Sequence, residues 1–392
     1  MYPFSVFKVS ASNETSFPEE LRSSSPPRCG SAGGNKSPTL PANFSSELIE
    51  ALLDWLWRSW NSLGVSGRGA TARADRVIDP ESLLLASTQW ARYDARLFDE
   101  MLDWLSLHGS LINLQRLRNL HGAGLGDTTV LAAIAAVVQD RSNQSKWKVL
   151  IGQRVSPAKL VSLFQSADGK RALWGEPDPV FAAHGFHRSR PELRQMSQIP
   201  SPQHAPNFWL KLRSLFGVTT RAEIMVQLLT GEPATAAEIA RRSGFTARSI
   251  LVALREMAAS GHLYEPPRPG RARVPRDQTP PPRTRGPSLV YALRLAEWGF
   301  LRTWTEPPGF PALRLPGPLL LLCQRLLQCL ESLKPGMSTG MQSILLRRAL
   351  TPSLLDIHRH GLSGEYGLPP SLPGESLRFT LAERLLPAIA SL

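Results

Sequence analysis

Between Thr246 and Arg255, five residues (Thr246, Arg248, Ser249, Val252 and Arg255) lie off the apolar face that Ile250, Leu254 and Met257 draw at i, i+4 and i+7. Their types suit contact with nucleic acid. Arginine pairs bidentately with guanine, serine adapts, valine meets a thymine methyl, and a threonine hydroxyl bonds a phosphate as well as capping a helix. Further on, Arg268, Arg271, Arg273, Arg276, Arg283 and Arg285 stand against only Glu265 and Asp277 in a proline-rich stretch, 266–287. Proline stiffens such a segment, and arginine suits phosphate or a narrow minor groove. The same stretch also reads as a solvated, disordered loop.

The other clusters read as structural. Gly122-Ala123-Gly124-Leu125-Gly126-Asp127 has the glycines of a phosphate loop but neither a preceding strand nor a following lysine, so a helix C-cap and then an N-cap are expected. His184 and His187, with Arg188 and Arg190, lack the carboxylate or cysteine of a metal site and read as surface polar residues. His358 and His360 do not share a helix face. Trp55, Trp57 and Trp60 read as core rather than as a ligand box, and Asp54 and Asp103 as surface carboxylates rather than an acid/base pair. Of three cysteines, Cys29 falls in a polar leader, while Cys323 and Cys329 read as buried apolar residues in a reducing compartment. No catalytic or metal constellation emerges, so neither catalysis nor a cofactor is expected.

A helix that presents its N-terminal residues needs a scaffold. Thr220 to Leu229 reads as a helix ended by Gly231, and Pro206 to Phe216 as an amphipathic helix before it. Thr235 caps a short helix, 236–242, and Gly244 supplies the positive φ of a sharp turn. Thr246 then caps a helix running to about Ser260. His262-Leu263-Tyr264 reads as a strand, and Leu289, Tyr291 and Leu293 alternate as its return. Helix, short helix, glycine turn, third helix and a two-stranded wing is the order of a winged helix-turn-helix. The run Thr235-Ala236-Ala237-Glu238-Ile239-Ala240-Arg241-Arg242-Ser243-Gly244, with Leu215-Phe216-Gly217 and Arg221-Ala222-Glu223-Ile224 upstream, resembles the DNA-binding domain of bacterial MarR/ArsR-like transcriptional regulators. The resemblance covers roughly 210–295, about a fifth of the chain. It implies a recognition helix, 246–260, in the major groove and a wing on the backbone or minor groove. The wing is unusually long, and no segment matches the dimerisation helices of those families.

Residues 1–42, rich in Ser, Pro and Gly, read as a disordered leader. Beyond it Leu48, Leu52, Trp55 and Leu56 repeat at helical spacing behind the cap candidates Ser45 and Ser46. Asp79-Pro80-Glu81 is a helix start, Asp94 opens a helix closed by Gly109, Ser110 caps another closed by Gly122, and Asp127 opens the Ala-rich run to Val138. The expected fold is mainly α, a central winged helix-turn-helix with a small β-wing between all-α helical domains. Its parts are an all-α domain over 43–200, the winged unit over 205–304 and a C-terminal helical region over 305–392. That last region is read as helices at Leu319–Leu333, Thr339–Leu350 and Leu377–Leu392.

With 45 Lys and Arg against 32 Asp and Glu, the 392-residue chain carries a net charge of +13. Such an excess attracts polyanions, nucleic acid ahead of an anionic membrane surface. The longest apolar stretch, Pro318 to Leu330, is interrupted by Gln324 and Arg325 and falls short of the ~20 residues a bilayer requires. The N-terminus has no secretory pattern, so a cytoplasmic protein without a membrane segment is expected. Together these features point to a sequence-specific regulator of transcription. It would bind double-stranded DNA as a homodimer, joined through the N-terminal helices or the 318–333 helix. An alternative is a protein-interaction subunit, an antitoxin or defence-system component, whose winged helix docks a partner protein. A third is an enzyme with its site assembled from scattered residues of 43–200.

Overall fold

The computed structural model describes residues 40, 43–67, 69–142, 144–152, 159–165, 175–231, 233–264, 289–294, 298, 312–313, 315–334, 336–371 and 374–392. The expected leader, 1–42, lies almost wholly outside them. The described part is mainly helical. Its first half holds α1 (Phe44–Ser62), α2 (Pro80–Trp90), α3 (Ala95–His108), α4 (Leu114–Gly122), α5 (Thr128–Ser142), β1 (Val161–Ser162), α6 (Pro179–Ala182) and β2 (Phe186–His187). Next come α7 (Phe208–Phe216), α8 (Thr220–Leu229), β3 (Ala234–Thr235), α9 (Ala236–Ser243), α10 (Ala247–Ala259), β4 (Leu263–Tyr264) and β5 (Val290–Leu293). The chain ends with α11 (Gly317–Ser332), α12 (Thr339–Arg359), α13 (Ser363–Tyr366) and α14 (Gly374–Ala390).

Caps set most helix starts. Asp79 accepts from Ser82 N at 3.1 Å with Pro80 at the first helical position, and Asp94 accepts from Leu97 N at 3.1 Å. Asp127 takes the amides of Thr129 and Val130, each at 2.9 Å. Two capping residues differ from expectation, and α11 and α14 begin at Gly317 and Gly374 rather than at Leu319 and Leu377. The cap of α4 is Asn113, which accepts from Arg116 N at 3.1 Å, because Gly109–Leu111 forms a 3₁₀ turn that takes up Ser110. In α1 the cap position falls to Asn43, ahead of Ser45 and Ser46, because Phe44 is buried and joins the apolar stripe.

Two apolar cores form among the described residues. The first joins α1–α5 to the C-terminal helices: α1 packs on α14, α14 on α12, α12 on α11, and α11 on α2. Gln324 fits inside this core because it bonds backbone on the α4–α5 loop, accepting from Gly126 N at 2.9 Å and donating to Gly124 O at 3.1 Å. Leu319–Cys323, Leu326 and Leu327 of α11 are buried there, so its apolar side has no surface left for a second chain. Helix α12 outruns the expected end at Leu350 and passes through Pro352 to Arg359, because Leu354 and Ile357 continue the buried stripe of Leu346 and Leu350. Trp55 and Trp60 lie in this core, the latter edge-on to Trp104 with ring centroids 5.4 Å apart.

The second core gathers α7–α10, Tyr291 and Val77. On it lies a three-stranded antiparallel sheet ordered β3-β5-β4, with Ala234 opposite Tyr291 and Leu263 opposite Leu293. A separate parallel pair, β1–β2, sits against the first core.

Two readings of polar residues are corrected. Asp103 is buried rather than exposed, because it accepts from Gln195 N, Ser197 N and Ser197 Oγ at 2.7–3.1 Å and so ties down the loop before α7. His184 and Arg188 are likewise buried. The Arg188 guanidinium is bidentate with Asp99 at 2.6 and 3.2 Å and lies 5.2 and 5.1 Å from the Phe164 and Phe181 ring centroids.

Candidate nucleic-acid interface

The site is built from the turn outward. Thr235 and Glu238 form a reciprocal cap on α9: Glu238 N donates to Thr235 Oγ1 at 3.2 Å, and Thr235 N to Glu238 Oε2 at 2.8 Å. Those hydrogen bonds hold the Glu238 carboxyl below its ordinary pKa. Gly244 ends α9 at φ 78°, and a Cβ there would stand 2.8 Å from Arg116 Cα of α4. Both the conformation and the close approach therefore require glycine. Asn119 Nδ2 donates to Gly244 O, and Arg116 Nε to Arg242 O at 3.2 Å, so α4 grips the turn from behind.

Beyond the turn, Thr246 caps α10 through Ser249 N at 3.1 Å, and Ser249 Oγ donates back to Thr246 O at 2.9 Å. Ile250, Ala253, Leu254 and Met257 are buried against α8 and α9. Thr246, Arg248, Val252 and Arg255 are exposed, and Ser249 is half-buried. Arg248, Val252 and Arg255, at i, i+4 and i+7, form one outward stripe two turns long. Val252 keeps 48% of its surface exposed. The exposed acid of α10, Glu256, is paired with Arg221 of α8, which removes a charge that would repel phosphate. Arg268, Arg271 and Arg273 lie outside the described residues, in the segment joining paired strands β4 and β5.

Sequence reasoning missed what fixes this unit to the rest. Asp79 and Glu81 of α2, Arg116 of α4, Arg213 of α7 and Glu223 of α8 form a buried ionic network between the two cores. Glu81 takes Arg213 Nη1 and Nη2 at 2.6 and 3.0 Å, Arg116 Nη1 at 2.9 Å and Asn113 N at 2.7 Å. Arg213 Nε donates to Glu223 Oε1 at 2.9 Å, Trp209 Nε1 to Glu223 Oε2 at 3.0 Å, and Arg116 Nη2 to Asp79 Oδ2 at 2.6 Å. The Trp209 ring lies 4.8 and 5.0 Å from the two guanidiniums.

Burial alone would raise the carboxyl of Asp79; Arg116 overcomes that and holds it low. Burial pushes Glu223 up despite Arg213. Beside the network, Lys146 Nζ donates to Ser110 O and Ile112 O at 2.8 and 3.0 Å. Burial, and then repulsion by Arg213, brings its pKa down to about 8. A signal was present: Arg213 falls four residues after Trp209 on an apolar helix face, and Glu223 between Ala222 and Ile224. A charge on a core stripe needs an opposite charge within the core.

Among the described residues no three His, Cys, Asp or Glu side chains are grouped to hold a metal, and no helix is long and apolar enough to cross a membrane. No protein-family model, curated protein or solved structure matches the chain.

Proposed function

We propose that the chain is a sequence-specific regulator of transcription that binds double-stranded DNA through a winged helix-turn-helix spanning α8 to β5. The observation that carries this reading is the α9–Gly244–α10 turn with Arg248, Val252 and Arg255 facing outward from the start of the third helix. An arginine and a valine so placed suit a guanine edge and a thymine methyl. Thr246 presents a hydroxyl at the same helix N-terminus, where the helix dipole favours a phosphate. The segment between β4 and β5 supplies the arginines of a wing, and a net charge of +13 supplies steering toward a polyanion. Two copies would read the half-sites of a pseudo-palindrome, and with α11 buried the pairing surface falls to the N-terminal helices.

Titration of a labelled duplex by fluorescence anisotropy tests it. Arg248→Ala is expected to weaken binding to a preferred duplex by about 1–3 kcal/mol and to relax base preference at one position. Equal affinity of the variant and the parent for every duplex would remove α10 from the interface. The second reading, a docked protein partner, is favoured by the exposure of Val252, Tyr264 and Val290. It predicts that Val252→Asp abolishes a protein complex while Arg248→Ala leaves it intact.

A further inference from the structure

A cleft of about 370 Å³ opens between one side of α3 and the loop 188–194 that follows β2. Arg96, Asp99, Glu100 and Asp103, at helical spacing, form the α3 wall, and Arg188, Arg190, Glu192 and Arg194 line the other. Glu100 is only 9% exposed, yet its carboxylate has no hydrogen-bond or ion-pair partner among the described residues. Its oxygens are not sealed within the protein, and the surface they keep opens on the cleft. Burial, and then the charge of Asp103, push its carboxyl above its ordinary pKa, outweighing the pull of Arg96 and Arg194. A buried carboxylate without a cation is costly, and a glutamine would avoid most of that cost.

The nearby guanidiniums do not meet that demand. Arg188 is bidentate with Asp99, and Arg96, one turn before Glu100, lies 5.8 Å from the Trp57 ring centroid. Arg190 and Arg194 are exposed and form no ion pair among the described residues. The backbone beside Arg194 is fixed: Gln195 takes a left-handed φ of 54° and donates its amide to Asp103 Oδ1 at 2.7 Å. Once the Arg188–Asp99 pair is set aside, Glu100, Asp103 and Glu192 balance Arg96, Arg190 and Arg194, so the cleft as a whole is neutral. The positive end of α3, at Ala95, is met by the Asp94 cap. The signs differ in depth: Glu100 and Asp103 are buried, whereas the three unpaired arginines are exposed. That gradient suits a guest with its cation inward and its anion outward. A bare metal ion fits poorly, because among the described residues no three His, Cys, Asp or Glu side chains are grouped to hold one.

We propose that this cleft binds a small zwitterionic amino acid, its ammonium on Glu100 and its carboxylate on Arg190 and Arg194. The volume lies at the lower end of the ~300–1,000 Å³ of ligand sites, and the polar walls suit a polar guest. The site does not depend on DNA binding by α10.

Calorimetric titration of the full chain with glycine, 4-aminobutanoate and 6-aminohexanoate, which span a range of charge separations, tests the site. Butylamine and butanoate serve as singly charged controls. At least one zwitterion is expected to bind one-to-one and more tightly than either control. Glu100→Gln and Arg194→Gln should each weaken it about tenfold, through loss of one charge-assisted contact. Without ligand, Glu100→Gln should unfold at the parent's temperature or above it, whereas loss of a structural ion pair would lower that temperature. The proposal is overturned by the absence of saturable heat from every zwitterion, by a control that binds as tightly, or by binding that either substitution leaves unaltered. A lower unfolding temperature for Glu100→Gln overturns it as well, since Glu100 would then have its cation within the protein.

Discussion

At the scale of single residues, two arginines divide the labour. Arg213 is fully buried and bound to two carboxylates, while Arg248 is exposed and free of an ion pair among the described residues. The buried network holds three acids against two guanidiniums, so the two signs of deletion differ. Arg213→Met strands Glu223, leaves Glu81 with Arg116 alone as a cation, and is expected to cost about 3–5 kcal/mol. Glu81→Gln leaves each arginine one carboxylate and should cost nearer 1–3 kcal/mol. Urea unfolding of the two variants checks the order, and a larger loss from Glu81→Gln would contradict it. The exposed stripe was legible because i, i+4 and i+7 spacing places outward residues without knowledge of the fold. The network was not, because its partners are separated by up to 132 residues. Asp79 and Glu81 already had a sufficient local role as cap and first-turn acid.

At the scale of elements, local chemistry set the helix starts wherever one residue both caps and precedes an apolar stripe, as at Asp79, Asp94, Thr235 and Thr246. It failed where burial outweighed local preference. Pro352 denies α12 one amide donor and crowds the preceding turn, a cost of about 3 kcal/mol in a helix interior. Leu354 and Ile357, nearly or wholly buried, offset it together. Pro352→Ala should therefore raise stability, by up to about 3 kcal/mol, with the helix content of the chain unchanged. A fall in unfolding temperature would mean that the proline is accommodated by a bend that the packing needs. Strands β1, β2 and β3 were illegible for another reason: two residues carry no alternation, and each exists only through its pairing.

At the scale of the whole molecule, the C-terminal helices return to the N-terminal ones and close a single core, and the ionic network joins that core to the second. Stretches of the chain so far apart give no sequence signal of their contact. Lys146, at this junction, makes the stability of the joint depend on pH. Its folded-state pKa is about 8 against 10.5, so between those values the unfolded chain binds more protons. Its contribution to stability therefore rises with pH across that window. The stability of the parent minus that of Lys146→Met should climb between pH 8 and 10.5 and be flat below pH 8; a flat or falling difference would show that Lys146 is not desolvated there.

The outward face of α10 and the net positive charge are both tested by selection from random-sequence duplex DNA at two salt concentrations. A specific interface predicts an enriched pseudo-palindrome with half-sites about 34 Å apart, retained at the higher salt. Binding that enriches no sequence and vanishes with salt would contradict it and reduce the charge of the chain to an electrostatic coat.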